Sequence, residues 1–113
     1  CNKIGTYLKA LAAFDNKIPF YVAVPTSTID WSISDGLVSI PIEIRSPKEV
    51  THIKGFINRG NNLSDVETVQ LTPHNCKSFN PAFDVTPSSL VTEIITEHGI
   101  IKPNENALKS LLY

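Results

Sequence analysis

The sequence lacks a surplus of positive charge. Ten lysines and arginines stand against eleven aspartates and glutamates, for a formal net charge of -1. A general nucleic-acid binder carries a basic surplus, so no nucleic-acid partner is expected. Long apolar runs are missing too. None approaches the roughly 20 residues that span a bilayer, so no membrane partner is expected. No basic segment leads into an apolar core, and a cytoplasmic rather than secreted chain is expected. Cysteine is scarce, with only Cys1 and Cys76. They could pair on paper, but free thiols suit a chain that is not secreted. There is no Cys-x-x-Cys or His-x-x-x-His spacing, and His52, His74 and His98 are scattered, so neither a metal nor a cofactor is expected. No internal repeat and no low-complexity segment occurs.

What remains is a chain of 113 residues, 42% hydrophobic and 19% charged, enough for one small globular domain. Residues 2–16 predict a helix, with Ile4, Leu8, Leu11 and Ala12 on one apolar face. Asn16 would end it and Pro19 would prevent its continuation. Phe20 to Val24 is apolar at every position, as in a strand buried on both faces of a parallel sheet. Thr26 to Asp30 is loop-like, and Trp31 is expected to pack. Ile40, Ile42 and Ile44 alternate with Pro41 and Glu43, which predicts an edge strand. Ser46-Pro47-Lys48-Glu49 predicts a capped short helix. Residues 57–80 predict mostly loop, with a turn at Arg59-Gly60-Asn61-Asn62 and a strand near Val66–Leu71. After Thr86-Pro87, the stripe of Leu90, Val91, Ile94 and Ile95 predicts a helix closed by Gly99. Ile100-Ile101 predicts a short extended piece, and Glu105–Tyr113 a docking helix.

These elements predict an α/β fold built on a parallel sheet with flanking helices. An α/β domain normally opens on a strand leading into its first helix. The expectation is therefore that the sheet is incomplete here, with strands preceding residue 1.

Several blocks share a source. Asn2-Lys3-Ile4-Gly5-Thr6-Tyr7, Pro19-Phe20-Tyr21-Val22-Ala23, Ser27-Thr28-Ile29-Asp30, Ile40-Pro41-Ile42-Glu43, Glu49-Val50-Thr51, Asn80-Pro81-Ala82-Phe83-Asp84-Val85-Thr86-Pro87 and Ile94-Ile95-Thr96-Glu97 stand in this order. Together they resemble the superfamily of methylthioribose-1-phosphate isomerases, ribose-1,5-bisphosphate isomerases and the regulatory subunits of translation initiation factor 2B. The likeness runs from residue 2 to about residue 103. The Ser-Thr-Ile-Asp and Asn-Pro-Ala-Phe-Asp-Val-Thr-Pro blocks are similar to the methylthioribose-1-phosphate branch. The stretch from Asn58 to Phe79 departs from the pattern, and Cys1 stands where alanine is common.

The resemblance implies a Rossmann-like parallel sheet, with residues 1–113 as the carboxy-terminal portion of a single isomerase domain. It implies methionine salvage and an aldose–ketose isomerisation of a sugar phosphorylated at carbon 1. An acid must protonate the ring oxygen, and a hydrogen must move between carbons 1 and 2. The family's catalytic cysteine and aspartate precede the Asn-Lys motif. Neither Cys1, Cys76 nor Asp15 matches them, so no catalytic residue is expected here. The implied partners are the sugar-phosphate substrate, a complementary amino-terminal segment or chain, and a second copy in a homodimer. A regulatory or binding subunit of the initiation-factor type, or an inactive remnant, are the alternatives.

Asn2 and Lys3 are the candidate substrate-binding residues. At a helix start, free amides and the dipole favour an anion, Lys3 adds charge, and Asn2 adds a donor and an acceptor. Gly5 would let a ligand or backbone come close. The plainer possibility is that Asn2 caps a helix and Lys3 is solvated. The resemblance favours substrate. Asp84 is a second candidate for the pocket, with Thr86 as a helix cap, and the Ser27–Asp30 loop could border the same pocket.

Overall fold

The computed structural model describes residues 1–58 and 63–112. In chain order they form β1 (Asn2–Lys3), α1 (Thr6–Asp15), β2 (Tyr21–Ala23), α2 (Gly36–Ser39), α3 (Lys48–Thr51), β3 (His52–Asn58), β4 (Leu63–Gln70), β5 (Phe83–Asp84), β6 (Glu93–Thr96), β7 (Gly99–Ile101) and α4 (Glu105–Lys109). Single 3-10 turns lie at Thr26–Thr28, Ser88–Leu90 and Ser110–Leu112. The expected turn at Arg59-Gly60-Asn61-Asn62 and the last residue of the expected tail helix, Tyr113, lie outside the described residues. The fold is α/β. It divides into two compact units, Cys1–Ile42 with Phe83–Tyr113, and Glu43–Ala82.

In the first unit, β2 pairs parallel with β6, Val22 opposite Ile94, and β6 pairs antiparallel with β7. The parallel strand expected at Phe20–Val24 is therefore present, three residues long as a ladder. Bonds from the Thr92 amide to the Phe20 carbonyl (2.8 Å) and from the Val24 amide to the Ile95 carbonyl (2.9 Å) extend it at both ends. It is not buried on both faces, because Tyr21 and Ala23 are exposed. The helix expected after Thr86-Pro87 is instead a 3-10 turn followed by the β6–β7 hairpin. Val91, Thr92, Ile94, Ile95 and Thr96 are β-branched and fit a pleated sheet. β2 supplies the edge they pair with. Gly99, expected to close a helix, takes φ +119° at the hairpin turn.

α1 starts at Thr6, four residues later than expected, because Gly5 turns the chain with φ +102° and residues 2–3 run extended beside β5. Its end is a paired-bond helix stop. Ile18 N–H donates to the Ala13 carbonyl (2.8 Å) and Lys17 N–H to the Phe14 carbonyl (3.1 Å), with Lys17 rather than Asn16 in the left-handed region at φ 57°. The helix also buries a different face from the one expected. Ala10 is 0% exposed, and α1 packs on the 3-10 turn Ser88–Leu90. Thr6 and Ala13 flank Ala10 at helical spacing and are half-buried. Ile4, Leu8 and Leu11, expected in the core, are 45%, 69% and 38% exposed. The buried and half-buried positions of α1 are thus small side chains, and its large apolar ones are exposed.

The second unit is a β3–β4 antiparallel hairpin with its supporting turn. Pairing runs from His52 opposite Gln70 to Asn58 opposite Leu63, with a register shift between Phe56 and Ile57. In the stretch 57–80, expected as mostly loop, the end of β3 and β4 are strand, the latter taking in the strand expected near Val66–Leu71, and residues 71–80 are loop. The edge strand expected at Ile40–Ile44 reduces to one bridge, Ile44 with Pro81. Pro41 has no amide to donate. The Arg45 guanidinium grips Glu49 at 2.9 and 2.7 Å, and Asn80 bridges Glu49 and the Ser46 carbonyl at 3.0 Å each. Thr51 is buried, donating to the Pro47 carbonyl at 3.0 Å.

Candidate functional site

The first unit contains a concavity of about 660 Å³. Asn2 and Thr6 line it at the start of the chain, Thr28 and Ile29 in the loop after β2, and Thr86 and Ser88 before β6. β2 and β6 form its apolar floor through Val22 and Ile94. Loops at the carboxyl ends of parallel strands are where ligands gather in open α/β sheets, and the loop after β2 lies there.

Its wall at the chain start, Asn2 and Thr6, is held in place by Asp84. The Asp84 carboxylate accepts from Gly5 N–H at 2.7 Å and from Tyr7 N–H at 3.1 Å, 79 and 77 residues away. Its backbone pairs with Asn2, and Phe83 pairs with Lys3. The Thr6 hydroxyl donates to the Lys3 carbonyl at 2.8 Å. Asn2 and Lys3 are therefore not in the first turn of a helix, as expected, but on β1. Two amides at the start of α1, those of Gly5 and Tyr7, are satisfied by a carboxylate of the same chain. Adjacent strand residues face opposite ways. Asn2 lines the concavity; Lys3 does not. The Lys3 ammonium is exposed and makes no ion pair among the described residues.

The expected roles of Asp84 and Thr86 are exchanged. Asp84 caps a helix, and Thr86 lines the concavity. The Thr86 hydroxyl oxygen is buried with no hydrogen-bond partner among the described residues. An unpaired buried hydroxyl is costly, so such groups are normally partnered. Thr28 and Ile29 border the site as the loop expectation has it. Asp30, exposed, instead accepts from the Ser32 hydroxyl (2.6 Å) and amide (2.9 Å), and these bonds, the hydroxyl's above all, lower its pKa. Trp31, expected to pack, is 46% exposed. Cys1 and Cys76 are free and exposed. Among the described residues no three His, Cys, Asp or Glu gather, and no helix is long and apolar enough to cross a membrane.

Sequence reasoning missed Glu97 as a fastener of the loop after β2. Its carboxylate accepts from the Thr26 amide at 2.9 Å and from the Thr26 hydroxyl. The Thr26 hydroxyl, above all, holds the Glu97 pKa below its ordinary value. A lowered folded-state pKa means that the ionised form is favoured by folding. The fastening is present above the ordinary glutamate range, and it is lost as pH falls through the lowered value. The Thr26 amide resonance should therefore titrate with a midpoint below the ~4.3 of free glutamate. A midpoint at or above that value would show that the bond does not form in solution.

A profile of the Initiation factor 2 subunit family matches residues 1–103, more than half of the chain. The chain belongs to this family. Within it, the chain is 60% identical over 108 residues to the methylthioribose-1-phosphate isomerase of Methylocella silvestris, covering 96% of this chain and 28% of that protein. The Acidiphilium cryptum protein of the same name is 59% identical over 110 residues, covering 97% and 29%. Two solved structures of the family superimpose. One is 5-methylthioribose 1-phosphate isomerase from Pyrococcus horikoshii OT3, with TM-score 0.77, 38% identity, and coverage of 98% of this chain and 27% of that one. The other is the delta subunit of translation initiation factor eIF-2B from A. fulgidus, with TM-score 0.71, 38% identity, and coverage of 96% and 29%. The chain spans less than a third of the length of these relatives. The resemblance drawn over residues 2 to about 103 thus falls on the segment that the family profile matches.

Proposed function

We propose that the chain is the substrate-holding, carboxy-terminal part of a cytoplasmic methylthioribose-1-phosphate isomerase of methionine salvage, within a single Rossmann-like domain whose sheet β2 and β6 continue. The observation that carries this is the 60% identity over 108 residues to the Methylocella silvestris isomerase. The likeness to an eIF-2B delta subunit, at 38% identity, supports the regulatory reading less strongly.

In this reading Asn2, inside the concavity, donates to and accepts from sugar hydroxyls. Lys3 supplies charge to the phosphate, its four-carbon stem reaching round β1 to the rim. The Thr86 hydroxyl takes a partner that the described residues do not provide. Acid and base for the ring opening and for hydrogen transfer between carbons 1 and 2 come from residues outside this segment. A complementary amino-terminal segment covers the exposed Ile4, Leu8 and Leu11 face, and two copies form the dimer.

The test is an assay of methylthioribose 1-phosphate conversion by the polypeptide as its gene encodes it, beside the 113-residue chain alone. Conversion to methylthioribulose 1-phosphate is expected of the first and none of the second. No conversion by the encoded polypeptide would sink the isomerase reading. Turnover by the chain alone would place the proton-transfer groups within residues 1–113.

A further inference from the structure

We infer that Asp84 is a positioning residue for substrate binding, acting through Asn2 and Lys3; this rests on the isomerase reading above.

The motif Asn2-Lys3 has little to hold it in place. β1 is two residues long, and a two-residue ladder is a weak anchor. The next residue but one, Gly5, takes φ +102°, a conformation open to many backbone paths because it lacks a side chain. Apart from its own chain neighbours, no heavy atom of the described residues lies within 4 Å of where a Cβ on Gly5 would stand, so packing does not fix the turn either. Asp84 supplies the missing constraint from three directions. Its backbone is the ladder partner of Asn2. One carboxylate oxygen takes the Gly5 amide, and the other takes the Tyr7 amide. The turn is thereby clamped between strand and helix by charge-assisted bonds.

Both of its oxygens accept from amides of its own chain. Asp84 does not line the concavity. Its effect on substrate is through the placement of Asn2, which does. A displacement of a binding group by about 1 Å can cost on the order of a hundredfold in rate.

The experiment is steady-state kinetics on methylthioribose 1-phosphate with the encoded polypeptide and its Asp84→Ala, Asp84→Asn and Asp84→Glu forms, with thermal unfolding of each. For Asp84→Ala, KM should rise about ten- to hundredfold, more than kcat falls. Asp84→Asn, which keeps one acceptor oxygen, should recover part of that loss. A purely structural role would instead lower the active fraction, reducing apparent kcat with KM at the parent value. That result overturns the proposal. If Asp84→Ala does not fold, the same comparison of KM with kcat is read on Asp84→Asn and Asp84→Glu. A parent KM in both overturns the proposal. An inactive parent polypeptide would mark failure of the isomerase reading itself, and the positioning role would fall with it. An active parent with unmoved KM in the variants would mark failure of the positioning role alone.

Discussion

Lys3→Ala is expected to weaken binding of methylthioribose 1-phosphate by about ten- to hundredfold and to leave the thermal unfolding of the protein where it was. The bond from the Thr6 hydroxyl to the Lys3 carbonyl and the pairing with Phe83 use only the backbone of Lys3, which alanine retains. The ammonium is exposed and unpaired among the described residues, so its removal orphans no partner. In the proposed isomerase reading, what would be lost is contact with the phosphate. A charge-assisted hydrogen bond contributes roughly 1.5–3 kcal/mol, and each 1.4 kcal/mol is about a factor of ten in affinity. Because the group is exposed, added salt should shrink the difference between parent and variant. Calorimetric titration at two ionic strengths checks this. Parent-like affinity in Lys3→Ala would leave Lys3 as a solvated strand residue. A lowered unfolding temperature would make its side chain structural.

The sequence disclosed the elements whose signals are local. Pro19 and Pro25 bracket β2, and the all-apolar Phe20–Val24 run pointed to a parallel partner, which is β6. It disclosed the family through blocks that are short, ordered and chemically specific. It did not disclose β6 and β7, because Leu90, Val91, Ile94 and Ile95 recur at helical spacing while being mostly β-branched. The choice between the two periods is made by pairing with β2, some 70 residues earlier in the chain. Asp84 was hidden for the same reason. Its partners, Gly5 and Tyr7, are near the other end of the sequence, and nothing in Asn-Pro-Ala-Phe-Asp-Val-Thr-Pro says which oxygen meets which amide. Gly5 was read as room for a ligand, whereas its positive φ is what separates β1 from α1. Of the two candidates read from the sequence, Asn2 lines the concavity and Lys3 does not, and the carboxylate that holds β1 in place was not legible at all.

The two faces of α1 give the last prediction. Ala10→Leu is expected to destabilise by about 1–3 kcal/mol, the usual cost of forcing added methylenes into a packed site. Ala10 is 0% exposed on a helix that packs on the Ser88–Leu90 turn, so a larger side chain there has no free space to enter. Leu8→Ala is the contrast. Leu8 is 69% exposed in this chain, and truncating it should change the stability of the 113-residue chain by less than about 0.5 kcal/mol. In the polypeptide as encoded, a complementary segment over the Ile4, Leu8 and Leu11 face would make the same truncation cost about 2–5 kcal/mol. Urea unfolding of parent, Ala10→Leu and Leu8→Ala in both lengths of chain separates these cases. A neutral Ala10→Leu would mean that α1 does not pack through its small face. A neutral Leu8→Ala in the encoded polypeptide would mean that nothing covers its large one.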